Sequence, residues 1–358
     1  MTQQRKHTRR AFLGTVGVGG LLGATGIPTT IADVGTIQET WTLGTSAEGS
    51  SSWRIGVNWT EFFGREDLWD DVGVEVEAVV TEGTTATYRR VDAGEMELGG
   101  STTQLLEDSP DEGPPFDEEP LTNFDQIRQI RAYMNFNNFG VVNLDAGVET
   151  WEDLEGRPVA ISSIGSGTRP AKELIVEQEI GLENIDERFM EFADIPGALR
   201  GGVVDAAFTW TTNQVVPIGF AEEIDATVDW APLELSDETI EFLDEEVPFS
   251  SFMRLDEDLV GEMFETYQGP LDTFTLTYPY VAFAERDPEV IREITRLTYE
   301  TGEELVEEDS IMGLFPDEER FLDMHPDVPL HLGAWEYYEE QFEDFPEDYD
   351  LTPPPELE

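Results

Sequence analysis

From residue 41 onward, short apolar runs alternate with stretches of helical spacing. Trp41-Thr42-Leu43-Gly44-Thr45 reads as a first strand, followed by a Gly/Ser loop over 47–52 and a helix over 53–63. Val74-Glu75-Val76-Glu77-Ala78-Val79-Val80 alternates with period two, the mark of a half-buried strand. The pattern continues with a helix over 84–91, a short strand over 96–100 and a helix opening at 101. An acidic, Pro-rich stretch over 107–120 reads as a solvated loop. Strands are then expected over 127–134 and 139–144, and a short helix over 151–156 ended by Gly156. Next come a strand over 158–162, a helix over 169–180, a strand over 189–192, a helix over 196–201 and a strand over 203–210. A late strand over 280–284 precedes a strongly amphipathic helix over 288–304, and the tail 341–358 is acidic and Pro-rich. Strands alternating with helices predict an α/β protein with parallel strands.

Four of these strands end in small hydroxyl-rich or aromatic turns: Thr45-Ser46, Ser101-Thr102-Thr103, Ser162 to Thr168, and Thr209-Trp210-Thr211-Thr212. In open α/β sheets, ligands sit outside the carboxyl ends of the strands. There the backbone N–H groups of the following helix N-termini favour anions. Any one such turn is equally an ordinary helix N-cap; four in the same position relative to strands point to a crevice.

Composition changes the picture in one direction. The 358 residues carry 20 Lys plus Arg against 78 Asp plus Glu, a net charge of −58, with only two lysines, Lys6 and Lys172. Such a chain is repelled by a phosphate backbone, so no nucleic-acid partner is expected. Disorder is excluded by 39% apolar and 11% aromatic residues, enough for a packed core. Like charges push a compact state apart at ordinary ionic strength, whereas at 1 M salt the screening length is about 3 Å. Carboxylates spread along the whole chain with lysine all but removed predict adaptation to high salt.

The first 32 residues hold no acid. They read as a basic start (Arg5, Lys6, Arg9, Arg10) and a Gly-rich apolar stretch over 11–22, a secretory pattern. Thr8-Arg9-Arg10-Ala11-Phe12-Leu13 resembles a twin-arginine export motif, with cleavage expected after Ala32. The location expected is therefore extracytoplasmic. With no Cys, a lipid-anchored thioether is closed to it, as are thiol nucleophiles, disulfides and Cys-bound metal.

Enzyme chemistry finds little support. Beyond the export segment only His325 and His331 remain. Gly165-Ser166-Gly167-Thr168 lacks the first glycine of a nucleophile elbow and the Gly-Lys of a phosphate loop. No calcium-loop pattern occurs. Lys172, on the helix after that turn, is the only amine. Neither a cofactor nor a metal site is expected.

The order of motifs resembles the TAXI family of solute receptors for TRAP-type transporters, a branch of the periplasmic binding protein fold. The resemblance rests on Leu43-Gly44-Thr45-Ser46-Ala47-Glu48-Gly49-Ser50-Ser51-Ser52-Trp53, on Thr81-Glu82-Gly83-Thr84 with Asp92-Ala93-Gly94-Glu95-Met96, and on Thr150-Trp151-Glu152-Asp153-Leu154-Glu155-Gly156 leading to Gly165-Ser166-Gly167-Thr168-Arg169. Ala198-Leu199-Arg200-Gly201-Gly202 and Leu330-His331-Leu332-Gly333-Ala334 complete it. Glu48, Thr87 and Leu332 depart from the family's usual small residue, Asn and Pro. The resemblance covers roughly 41–340.

It implies a type II fold: two α/β lobes joined by two hinge strands, closing over a ligand. Lobe one would be 36–140 plus 281–358 and lobe two 141–280, with 139–144 and 280–284 as the crossings. Thr45, Ser46, Ser50, Ser101 and Thr102 would line one wall, and Ser166, Gly167, Thr168, Thr209 and Trp210 the other. Trp53 and Trp210 would stack on the ligand or pack in the core. Arg169, beside Pro170 at a helix start, would grip a carboxylate with two prongs or form a surface ion pair. The implied function is a monomeric, non-enzymatic receptor that hands a carboxylated solute, such as glutamate or an organic acid, to membrane permease subunits. An ABC-type importer for sulfonates, nitrate or pyrimidine-like compounds is the alternative partner system, and an enzyme on a related two-lobed fold the other alternative.

Overall fold

The described residues build one eleven-stranded mixed sheet. Its strands are β1 (Glu39–Gly44), β2 (Val74–Val79), β3 (Leu98–Gly100), β4 (Ile127–Asn143), β5 (Pro158–Ala160), β6 (Asp186–Glu187), β7 (Ala206–Thr212), β8 (Val216–Pro217), β9 (Trp230–Pro232), β10 (Phe252–Leu255) and β11 (Leu271–Phe283). The computed structural model describes residues 39–358 apart from 111–114, 117–118, 164–165, 215, 348 and 358. The export-type segment expected over 1–32, part of the acidic loop 107–120, and Ile164-Gly165 of the Gly-Ser turn lie outside the described residues.

The strand order is β2-β1-β3-β11-β4-β7-β5-β6. β1 pairs in parallel with β2 and β3, and β5 in parallel with β6 and β7. Between these two parallel groups lies an antiparallel ribbon: β11 pairs with β4 from Phe274↔Asn138 to Phe283↔Ile127. β3 joins the ribbon at Tyr280–Ala282 of β11, and β7 joins it at Phe136–Val142 of β4. The chain thus leaves one parallel group along β4 and returns along β11. Every residue of β4 is buried, as expected of a strand covered on both faces.

Several expected elements differ. The two strands expected over 127–134 and 139–144 are one strand, because the polar run at Asn135, Asn137 and Asn138 does not interrupt the ladder. Asn135 donates its backbone N–H to Asn213 Oδ1 (2.8 Å) and its side-chain N–H to Thr277 Oγ1 (2.9 Å), so its donors meet partners far along the chain. The strand expected over 280–284 is the end of the longer β11. The strand expected over 189–192 is absent: pairing stops at β6, and Phe192–Asp194 is a single 3-10 turn. The amphipathic helix expected over 288–304 is broken into Pro288–Glu300 and Gly302–Glu308 at Thr301, whose hydroxyl donates back to Leu297 O (2.7 Å). The expected helices over 53–63, 84–91, 169–180 and 196–201 are present as Ser51–Arg65, Thr84–Asp92, Arg169–Glu179 and Ile195–Arg200.

Aromatic rings dominate the core beside the ribbon. Arg131 of β4 is fully buried with its guanidinium 4.5–5.6 Å from the ring centres of Trp59, Tyr280, Phe315 and Phe321. Burial pushes it down to about 10, so it stays charged at neutral pH inside an aromatic cage. Among the described residues no helix is long and apolar enough to cross a membrane.

Candidate functional site

A cleft of about 490 Å³ opens at the carboxyl ends of both parallel groups. Its wall is made by the segments that leave those strands: residues 46–50 after β1, Glu82-Gly83-Thr84 after β2, Ser163 and Ser166-Gly167-Thr168 after β5, and Glu191-Phe192-Ala193 after β6. Trp210 of β7 and Ile218-Gly219-Phe220 after β8 complete it. The ribbon supplies Met134 and Phe136 of β4 and Tyr278 of β11. This is the place where open α/β sheets put their ligands.

Four helices begin at this wall: Ser51–Arg65, Thr84–Asp92, Arg169–Glu179 and Gly219–Thr227. The first three carry no acidic residue in their first turns, in a chain with 78 of them. Each helix start presents unsatisfied N–H groups and the positive end of the helix dipole. Ser50 caps the first helix, its Oγ accepting from Trp53 N at 3.2 Å. Ser46 holds φ at 75°, a left-handed conformation that costs a non-glycine residue about 1–3 kcal/mol and turns the loop at the cleft edge.

The two sides of the wall approach closely. A Cβ on Gly167 would stand 2.9 Å from Thr84 Cβ and 3.3 Å from Thr102 Cγ2, so only glycine fits where the Ser-Gly-Thr turn meets the start of the 84–92 helix. Nearby, the hydroxyls of Ser51 and Thr212 share a hydrogen bond of 2.8 Å, and those of Ser52 and Tyr133 another of 2.8 Å. The apolar part of the wall is aromatic. Trp210 stacks on Phe136 at 4.9 Å and meets Phe192 and Phe220 edge-on at 4.9 and 5.0 Å.

Six of the twelve expected ligand residues line the cleft: Ser46, Ser50, Ser166, Gly167, Thr168 and Trp210. The other six stand elsewhere. Thr45 is buried behind the wall, its hydroxyl donating to Val79 O at 3.1 Å. Trp53 is half-buried in the first turn of its helix. Ser101 and Thr102 are fully buried, and Thr102 caps the helix Thr103–Asp108 through Leu105 N (3.0 Å). Thr209 is buried within β7, with its hydroxyl unpartnered. Arg169 turns away from the cleft to Glu173 and Glu187 (2.8 Å to the latter) and lies 4.4 Å over the Phe189 ring. One carboxylate of its own helix and one of β6 hold its guanidinium, which is the ion-pair alternative expected for it.

Sequence reasoning passed over the aromatic wall. Phe136 and Tyr278 fall outside the elements read from the sequence, Phe136 within a polar run, and Phe192 fell in a segment read as strand. The one available signal was the density of rings near the strand ends. Of the departures, Glu48 lines the cleft, whereas Thr87 is buried and shares a 2.6 Å hydrogen bond with Thr81. His331 caps the helix Leu332–Gln341 by accepting from Gly333 N (3.2 Å).

Two further groups lie away from the cleft. Asn135 and Thr275 line a recess of about 430 Å³ with Arg320 and Asp323. Asn135 alternates with the cleft-lining Met134 and Phe136, so this recess is on the opposite face of the ribbon. Glu107, His325 and Asp327 bring ligand-type atoms within 4.8 Å of one another. Both ring nitrogens of His325 are already engaged, Nε2 with Glu107 (2.8 Å) and Nδ1 with the Asp327 N–H (3.2 Å).

The model of the NMT1-like family matches residues 43–341. No curated protein matches the chain. Among solved structures, a periplasmic sulfonate-binding protein of a sulfonate ABC transporter from Methylobacillus flagellatus is 12% identical, with 84% of each chain covered and a TM-score of 0.47. The periplasmic aliphatic sulphonate-binding protein of Escherichia coli is 14% identical over 76% of this chain and 74% of that one, with a TM-score of 0.43. An ancestral arginine-binding protein bound to arginine is 13% identical over 78% of this chain and 96% of that one, with a TM-score of 0.42.

Proposed function

The chain belongs to the NMT1-like family, and on that premise, joined to the geometry of the cleft, we propose that it is an extracytoplasmic receptor that captures a small anionic solute and passes it to a membrane transporter. The observation that carries this reading is the convergence of four helix N-termini on one cleft of about 490 Å³. That volume suits a small solute, and the helix ends favour its anionic group. Carboxylated solutes such as glutamate or organic acids fit these demands, as do sulfonates.

Within this reading, residues 36–140 with 281–358 form one lobe and 141–280 the other, and β4 with β11 is the hinge between them. Closure over the solute brings Gly167 against Thr84. The protein acts as a monomer, without a catalytic step, after export directed by the twin-arginine-type segment.

Two transporter classes were expected. The motif order resembles receptors of TRAP-type systems, whereas the Methylobacillus flagellatus structure is named as the binding protein of a sulfonate ABC transporter. Likeness at that level does not assign a partner; the neighbouring genes do, a large fused permease favouring the first and an ATPase the second.

The function is tested by calorimetry and thermal shift of the purified chain in molar KCl against dicarboxylates, acidic and neutral amino acids, and alkanesulfonates. Saturable binding of one solute per chain, with a rise in melting temperature, is expected. Turnover of a probe instead of reversible binding would sink the receptor reading.

A further inference from the structure

Lys172 is the only lysine beyond residue 32, and it is not on the surface. Its Nζ is buried without a hydrogen-bond partner, in a chain with 78 carboxylates. What it meets are two rings of the cleft wall: Trp210 at 4.7 Å and Phe192 at 5.6 Å from the ring centres. A buried, unpaired ammonium is unfavourable, and an apolar side chain of similar volume commonly serves packing as well or better. Packing alone therefore does not account for a lysine here.

Other unpartnered donors lie on or just beyond β5 and β7. The last paired residues of β5 and β7 are Ala160 and Ala207. Ser162 lies two positions beyond the end of β5, and Thr209 lies inside β7 next to Trp210, on the opposite face of the sheet from that ring. Both hydroxyls are buried and unpartnered, and so is the Trp210 indole N–H. Lys172 itself sits in the first turn of the helix that starts at the Ser166-Gly167-Thr168 turn of the cleft wall.

We propose that Lys172 is the charge-recognition residue of the cleft, its ammonium meeting the anionic group of the solute with the Trp210 indole N–H as a further donor. This rests on the receptor reading above and narrows it. The solute carries a terminal carboxylate or sulfonate on a flat or apolar body, which faces Phe136, Phe192, Phe220 and Tyr278. The four-carbon stem carries the ammonium along the Trp210 ring by rotamer change, without backbone movement.

Burial alone pushes the amine down to about 7, and no charged group on β5, β7, the 192–194 turn or its own helix adds a resolved pull. The nearest candidates close on one another, Arg169 with Glu173 and Glu187, while Glu191 is exposed at the cleft edge. At pH 8 the free protein therefore holds Lys172 largely as a neutral amine. An incoming anion favours the charged form and draws a proton from solvent. Affinity is accordingly full below about pH 7 and weakens as pH rises above it.

The test uses calorimetry of the whole chain in molar KCl with phenylacetate, hexanoate and hexanesulfonate, beside their neutral amides, in two non-sulfonate buffers of different ionisation heat. The expected result is binding of a carboxylate or a sulfonate, with its amide and the K172M variant each weaker by about tenfold or more. At pH 8 the wild type takes up close to one proton per bound anion and K172M takes up none. Near-UV circular dichroism checks that K172M is folded. With two lysines in the chain, a lysine-labelled NMR titration also follows Lys172 in the wild type, and its side-chain signal moves on anion binding. Anion binding that is unchanged in K172M and brings no proton uptake overturns the assignment and leaves the receptor reading standing. Binding of the neutral amides as tightly as the anions overturns it in the same way. Absence of binding by every probe overturns both.

Discussion

His331 illustrates how a single side chain sets a pH limit. It caps the helix Leu332–Gln341, receives the Gly333 N–H, and donates its own backbone N–H to Gln129 O of β4 (2.8 Å). Burial is the largest influence on its ring and pushes it down to about 4. In the unfolded chain the ring titrates near 6.5, so below that pH the unfolded state binds the extra proton. The stability it contributes is whole above about 6.5 and is lost as pH falls through about 4, an effect of about 3 kcal/mol. Denaturant unfolding of H331N, whose amide keeps a cap but does not titrate, is expected to lose that much less than the wild type between pH 7 and pH 4. An equal loss in both would show that the ring's burial is irrelevant to acid stability.

At the scale of elements, the turn at Gly167 is the point where two sides of the cleft touch. A Gly167→Ala substitution places a methyl 2.9 Å from Thr84 Cβ and forces the turn and the 84–92 helix apart. Overpacking of this kind costs about 1–3 kcal/mol. The larger expected effect is on ligand affinity, about tenfold or more by calorimetry with the tightest of the probe anions. Wild-type affinity in that variant would mean that the contact plays no part in closing the site.

What the sequence reveals and conceals follows from the range of the interactions. The strand over 74–79 and the helix Thr84–Asp92 are legible because their faces are set by period two and by helical spacing within a few residues. The length of β4 is not, because the partners that take Asn135's donors are Asn213 and Thr277, far along the chain. The hydroxyl turns at Ser46, Ser50 and Ser166 to Thr168 are legible as cleft residues because strand ends and helix starts fix their position. Tyr278 and Phe136 are not, since a ring facing a cleft and a ring facing the core have the same neighbours in sequence. Arg169 was ambiguous for a third reason: which of several carboxylates reaches it is decided by the fold.

For the whole molecule, the charge of −58 is expected to make stability depend on salt. The arginines of the described residues are largely paired with acids on the surface, as Arg54 with Asp309, Arg90 with Glu82 and Arg296 with Glu293, leaving most carboxylates to salt and water. Between 0.2 and 3 M KCl the repulsion is screened, and the melting temperature is expected to rise by roughly 10 °C, the shift that a few kcal/mol gives a domain of this size. A melting temperature independent of KCl would remove the case for salt adaptation. The ribbon of β4 and β11 has a different consequence, one of timing. β3 reaches β4 only through β11, and the two ribbon strands are separated in sequence by well over a hundred residues. Nascent chain emerging in order supplies both parallel groups before it supplies the strand that ties them together. Assembly of the sheet centre therefore waits for residues near 283, so folding is a late, non-local event, and a chain that stops short of β11 holds two half-sheets with exposed edges.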